Sequence, residues 1–226
     1  MVNKWLKIIH QIAARVELFP CHCLLCLRPA RRNIALCRGC EAYLPWLKAK
    51  DQVTSLPLLG YTSINSFQAL FDYASPINKF IAKFKYAGDL HFAKLLGTLM
   101  AENLRLTHPI DSLLFMPLHP LRQRIRGFNQ TLELAKVIAT LRGFPLDKWS
   151  CKRVKDTSTQ SSLSRKGRLH NLSPRAFSIN AGFKAKHVLV IEDIVTTGVT
   201  ISSFCQSLKA QGVETIQVWS CCRTAL

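Results

Sequence analysis

The sequence predicts an α/β fold: an open, mainly parallel sheet flanked by helices, with a small cysteine-rich module at its N-terminal side. Three observations carry this expectation. "HVLVIED", a helical stretch over Val199–Gln211 and "VETIQVWS" follow one another as strand, helix and strand. Continuous apolar strands joined through a helix imply parallel pairing with both sheet faces covered. Hydrophobic residues make up 48% of the 226 residues, which supports a real core and excludes wholesale disorder. Four of the nine cysteines fall in two C-x2-C pairs between Cys23 and Cys40.

Taken in order, Trp5, Ile8, Ile9, Ile12, Val16 and Phe19 recur at helical spacing, with Lys4, Lys7 and Arg15 off that face. Such a helix either docks on the body of the protein or lies on a membrane surface as a peripheral contact. The Cys and Arg segment over 21–40 comes next, then a linker to about Leu59 punctuated by Pro45 and Pro57. This divides the chain into 1–59 and 60–226. "SFQALFDYA" reads as a strand. Ile77–Tyr86 and His91–Leu106 read as helices parted at Gly88, and Ser112–Leu118 as a buried strand stopped by Pro117. Gly127–Arg142 has helical periodicity ended by Gly143 and Pro145. Lys148–Lys186 is basic, rich in Ser and Thr and poor in apolar residues, so part of it reads as a mobile loop.

No stretch approaches the 18 apolar residues of a membrane span, and the first twenty residues lack the pattern of a secretory signal. A reducing, cytoplasmic setting is therefore expected, where clustered cysteines bind metal more often than they pair. The net charge of +18 and pI near 9.9 point to an anionic partner: nucleic acid, a phosphorylated metabolite or an anionic membrane.

Cys23, Cys26, Cys37 and Cys40 offer four thiolates to one tetrahedral ion, for which Zn2+ is the usual choice. Four cysteines leave no open position, so the expected role is structural. Cys21 is an alternative first ligand, at the cost of stretching the first spacing to x4. Cys151, Cys205, Cys221 and Cys222 read as core or surface thiols.

"VLVIEDIVTTGVT", 188–200, carries the second expected site. A parallel strand ends near two acids, Glu192 and Asp193, and Ile194, Val195, Thr196, Thr197, Gly198, Val199 and Thr200 lead into a helix N-terminus. Ligands of open α/β sheets bind at that edge, and a helix N-terminus favours phosphate. The acids suit sugar hydroxyls or a hydrated Mg2+. A ribose 5-phosphate unit satisfies both halves; the alternative is a capped strand–helix turn. Neither a P-loop nor a dinucleotide fingerprint is present.

The same stretch resembles the PRPP-binding motif of type I phosphoribosyltransferases. "CLLC…CRGC", "YLPWL", "FKYAGD", "MPLHPLRQRIRGFNQ" and "HNLSPRAF" together resemble the ComF/GntX family, a zinc finger joined to a phosphoribosyltransferase domain and linked to natural competence and use of external DNA. The resemblance implies a type I phosphoribosyltransferase-like sheet that binds PRPP with Mg2+. Glu192 and Asp193 would then contact ribose and Mg2+, and 194–200 the 5-phosphate. It places Pro117, Leu118 and His119, with Arg122 and Arg126, near pyrophosphate. Arg153 and Arg165 belong to a further basic pattern, and Lys155–Arg168 is expected to close over the ligand. Each arginine has an alternative as a solvated charge, and His119 as a structural histidine. Thr196 stands where purine-salvage members often carry Asp, so the loop is nearer orotate-type members, whose other features it lacks. No residue identifies a nucleophile or an acceptor. Two roles stay open: pentosyl transfer from PRPP, or a PRPP-sensing scaffold that binds single-stranded DNA or DNA-uptake and recombination proteins.

Overall fold

The computed structural model describes residues 22–30, 34–48, 63–155 and 176–224. The expected N-terminal helix, Cys21, most of the 155–168 loop and Arg165 lie outside them. The chain divides into two compact units, Met1–Tyr43 and Leu44–Leu226.

The first unit is built from tight turns and one short helix, α1 (Arg38–Ala42). His22 bridges Pro29 in antiparallel fashion, and the Cys23 N–H donates to Arg28 O at 2.8 Å. Cys23, Ile34 and Leu36 are buried.

The second unit holds β1 (Ser66–Asp72), α2 (Ile77–Ala87), α3 (His91–Asn103), β2 (Ser112–Phe115), α4 (Pro120–Arg126), α5 (Gln130–Arg142), β3 (Cys151–Arg153), β4 (Phe177–Ile179), β5 (His187–Val195), α6 (Val199–Ala210) and β6 (Thr215–Arg223). Four strands form one sheet in the order β1-β6-β5-β2, every pair parallel. β3 and β4 form a separate antiparallel pair. The expected fold class is therefore the one observed. Among the described residues no helix is long and apolar enough to cross a membrane.

Alternation along the strands sorts the two sheet faces. Val188 and Val190 of β5, Ile216 and Val218 of β6, and Phe67 and Ala69 of β1 share a core with Ile201, Phe204 and Leu208 of α6. The opposite residues, such as Leu189, Ile191 and Trp219, are equally buried. α3 is buried nearly all round, and it approaches α5 closely at Gly97. A Cβ at Gly97 would sit 2.8 Å from Val137 Cβ, so only glycine lets the helices come this near.

Several boundaries differ from the sequence-based expectation. The helix from His91 stops at Asn103, because Leu104 turns extended. The helix expected from Gly127 begins at Gln130, where the Asn129 side chain accepts the Thr131 N–H at 3.0 Å. Pro120–Arg126 forms a helix of its own, started by proline at its first turn and closed at Gly127. Lys148–Lys186 contributes two short strands. β5 does not end at the two acids but runs to Val195, since its ladder with β6 continues as far as Val195↔Arg223.

Candidate functional site

Glu192 and Asp193 are consecutive residues near the end of β5, and their carboxyl groups interact directly with each other. Glu192 lies on the α6 side and lines an open cleft with Ile194, Val195, Thr196, Thr197, Gly198, Val199, Thr200 and Ile201. The seven expected loop residues thus come together around one cleft, with Glu192 as its acid. Gly198 has a left-handed φ of 74°, a conformation natural to glycine, and starts α6 without a side-chain cap. Ser202 N–H donates to Gly198 O at 2.9 Å, so the N–H groups of the preceding turn have no place in the helical ladder. They and the helix dipole give this end of the cleft a positive character suited to an anion.

Asp193 has partners of its own. Its Oδ2 takes the Lys85 ammonium of α2 at 2.6 Å, and its Oδ1 accepts the Ile194 N–H at 2.7 Å. Burial alone would raise the Asp193 carboxyl, but the Lys85 charge outweighs it and holds the group below the usual carboxylate range. Burial would likewise lower Lys85; the Asp193 charge reverses this and raises it. On Glu192 the Lys85 charge is outweighed. Burial first, then the Asp193 charge, pushes its carboxyl well above the usual value. One acid is thus held ionised and the other favours its proton.

Lys85 is the residue that single-sequence reasoning missed. It lay in the quoted "FKYAGD", but nothing in that string reveals a partner on β5. Its neighbours anchor the turn. Phe84 packs on Phe128 with ring centroids 5.5 Å apart, and the Arg126 guanidinium lies 5.7 Å from the Tyr86 ring centroid. "FKYAGD", "RGFNQ" and the acid loop therefore meet in space.

The remaining candidates divide. β2 pairs with β5 up to Phe115↔Ile191, and Met116 N–H donates to Ile191 O at 3.0 Å. Pro117, Leu118 and His119 therefore leave the sheet beside Glu192, at the same edge. His119 caps α4, its Nδ1 accepting the Leu121 N–H at 3.4 Å. Asn129 and Thr131 both donate to Met116 O, which ties the start of α5 to the end of β2. Arg122 and Arg126 sit on α4, which follows this loop. Arg153 is buried on β3, with its guanidinium 5.6 Å from the Phe177 ring centroid and its Nε donating to Lys155 O.

In the first unit the Sγ atoms of Cys23, Cys26, Cys37 and Cys40 lie within 4.8 Å of one another. Thiolates around a tetrahedral ion with bonds of about 2.3 Å stand about 3.8 Å apart. The separation of 3.6 Å between Cys26 and Cys37 fits that geometry. Leu27, just after the first knuckle, has a φ of 61°, and its N–H donates to Cys23 O at 2.9 Å. The Cys40 N–H points at Cys37 Sγ, 3.4 Å away. Burial pushes the Cys23 thiol up, but backbone N–H groups of Cys37, Cys26 and Leu25 outweigh this and hold it at about 6. Burial and the neighbouring thiols push Cys40 the opposite way, to about 12. The four residues form a site that can hold a metal ion. Cys205, Cys221 and Cys222 are buried in the second unit, as expected of core thiols.

Residues 133–224 match the phosphoribosyl transferase domain family, which agrees with a parallel sheet carrying an acid and phosphate-type loop at its carboxyl edge. The second unit is thus a phosphoribosyltransferase-type domain, beside a four-cysteine module. Competence protein ComFC of Streptococcus pneumoniae is 31% identical over 159 residues, covering 70% of this chain and 68% of that protein. Competence protein F of Haemophilus influenzae is 28% identical over 230 residues, covering 89% of this chain and 95% of that one. DNA utilization protein YhgH of Salmonella typhi is 29% identical over 210 residues, covering 89% and 90%. The chain belongs to the ComF family.

Proposed function

We propose that the protein binds 5-phosphoribosyl 1-pyrophosphate in the cleft at the end of β5 and acts in competence or the use of external DNA. The observation that carries this is one cleft lined by both the Glu192 carboxyl and the uncapped start of α6. The ribose hydroxyls meet Glu192, and the 5-phosphate meets the 194–200 loop. Pro117, Leu118 and His119, with Arg122 and Arg126, flank the pyrophosphate; arginine suits its paired oxygens. Mg2+ accompanies that pyrophosphate. Zn2+ fills the four-cysteine site in a structural role, since thiolates close all four positions. The biological role rests on the names of the relatives, and the +18 charge favours contact with nucleic acid.

Pentosyl transfer would break the bond from ribose C1 to pyrophosphate, with the positive cleft stabilising the departing charge. A second reading keeps binding without turnover. Glu192 is the single ionisable side chain among the described residues lining the cleft, so no second group there stands ready to activate an acceptor. Calorimetry with PRPP on the wild type and on Glu192→Ala tests the central proposal. Loss of about tenfold or more in affinity is expected; equal affinities remove the site assignment. Pyrophosphate release in the presence of candidate acceptors separates transfer from binding.

A further inference from the structure

Both oxygens of the Asp193 carboxylate are already engaged: Oδ1 by the Ile194 N–H and Oδ2 by the Lys85 ammonium. The pair is shielded from solvent, with side-chain exposures of 17% for Lys85 and 11% for Asp193. Lys85 is delivered there by its surroundings. Phe84 packs on Phe128, Tyr86 lies against Arg126, and α2 ends at Ala87, capped by Gly88 in a left-handed conformation. The last turn of α2 is therefore pinned on both sides of Lys85 to the end of α4 and the segment that follows it.

This arrangement bears on what the acid pair accepts. A hard divalent cation binds through carboxylate oxygens, the more tightly the more negative charge they carry. A shielded ammonium 2.6 Å from Asp193 cancels much of that charge, where salt and water screen little. A sugar diol is neutral and needs only donors and acceptors, which Glu192 supplies from the cleft side. We infer that Lys85 is a specificity-determining residue: by occupying Asp193 it keeps the acid pair from taking up a divalent cation, and leaves Glu192 to receive a neutral diol. The diol half rests on the ribose phosphate reading above; the metal-excluding half does not. Any Mg2+ then arrives on the phosphates of the ligand and is not bound to the acid pair beforehand.

Mn2+ serves as the probe on the full chain with its cysteine site loaded with zinc. Free Mn2+ is followed by its electron paramagnetic resonance signal during titration. The wild type and Lys85→Arg should bind it weakly. Lys85→Met should bind it at least about tenfold more tightly, and adding Asp193→Asn to that variant should abolish the gain. The inference is overturned if folded Lys85→Met, verified by thermal melting, gains nothing. It is also overturned if the wild type already binds Mn2+ tightly in a manner lost in Asp193→Asn. A second measurement needs no variant at Lys85. Ribose 5-phosphate should bind the wild type equally in metal-depleted buffer and with Mg2+, within about twofold. A strict Mg2+ requirement overturns the inference. Failure of ribose 5-phosphate to bind at all would sink the ribose phosphate reading, while the Mn2+ titration still decides the role of Lys85.

Discussion

Glu192 Oε1 accepts the backbone N–H of Asp193 at 3.0 Å, and the two carboxyl groups interact directly. The Glu192 side chain is thereby held in place by its neighbour, while the Lys85 ion pair is made by Asp193. Its proton affinity is raised by burial and then by the Asp193 charge.

That shift has a definite sign in stability. The folded chain keeps a proton on Glu192 at pH values where the unfolded chain, with an ordinary carboxyl near 4.3, has released it. The associated stability is fully present below the unfolded value and is lost as pH rises through the folded one. Glu192→Gln removes this dependence. Its melting temperature should match the wild type near pH 4.5 and exceed it at pH 8 by an amount equivalent to about 1–3 kcal/mol. Asp193 shifts the other way, so its contribution fades only at lower pH, outside this comparison. Melting curves across pH check the prediction; a constant offset between the two proteins would show that Glu192 does not titrate in this range.

The approach of α3 to α5 is set at Gly97. A methyl group there meets Val137 Cβ at 2.8 Å and Leu134 O at 3.3 Å. Gly97→Ala should therefore destabilise the second unit by about 1–3 kcal/mol, despite the better helix propensity of alanine. Val137→Ala in the same chain removes the Cγ1 met at 3.0 Å but keeps the Cβ, so it should recover only a small part of that loss. Urea denaturation of both single variants and the double variant reads the coupling; additive effects would mean that the two side chains do not compete for this space.

The cysteine cluster makes a separate prediction. Among the described residues of the first unit Cys23, Ile34 and Leu36 are the buried apolar ones, so zinc bound at the four cysteines would supply folding energy on the order of 10 kcal/mol. Cys37→Ser should lose stoichiometric zinc and the protease resistance of residues 22–43. Ribose phosphate binding by the second unit should persist. Metal analysis and limited proteolysis report the first outcome, calorimetry the second. Unchanged zinc content in the variant would remove Cys37 from the ligand set.

Much of this was legible in the sequence because single physical signals dominate locally. The unbroken apolar run of β5 demands a strand covered on both faces, and two C-x2-C pairs predict that four thiols cluster. Asn129 carries a capping signal that sets the start of α5 at Gln130, yet periodicity alone drew the helix back to Gly127. The end of β5 was misplaced because two acids interrupt the apolar run, although the backbone ladder continues past them to Val195. Lys85 was illegible for a deeper reason. A lysine on a helix ordinarily reads as a solvated charge, and only tertiary packing through Phe84, Phe128 and Tyr86 carries it to Asp193.

The strand order β1-β6-β5-β2 places in the interior of the sheet the strand that comes latest of the four along the chain. β1 cannot be joined to β5 until β6 slides between them, with Ser66 facing Gln217 and His187 facing Thr215. Until β6 docks, β1 and β5 each keep an unmated backbone edge. Loss of that one strand would therefore cut β1 from the sheet and leave the Glu192 edge without one of its two neighbours.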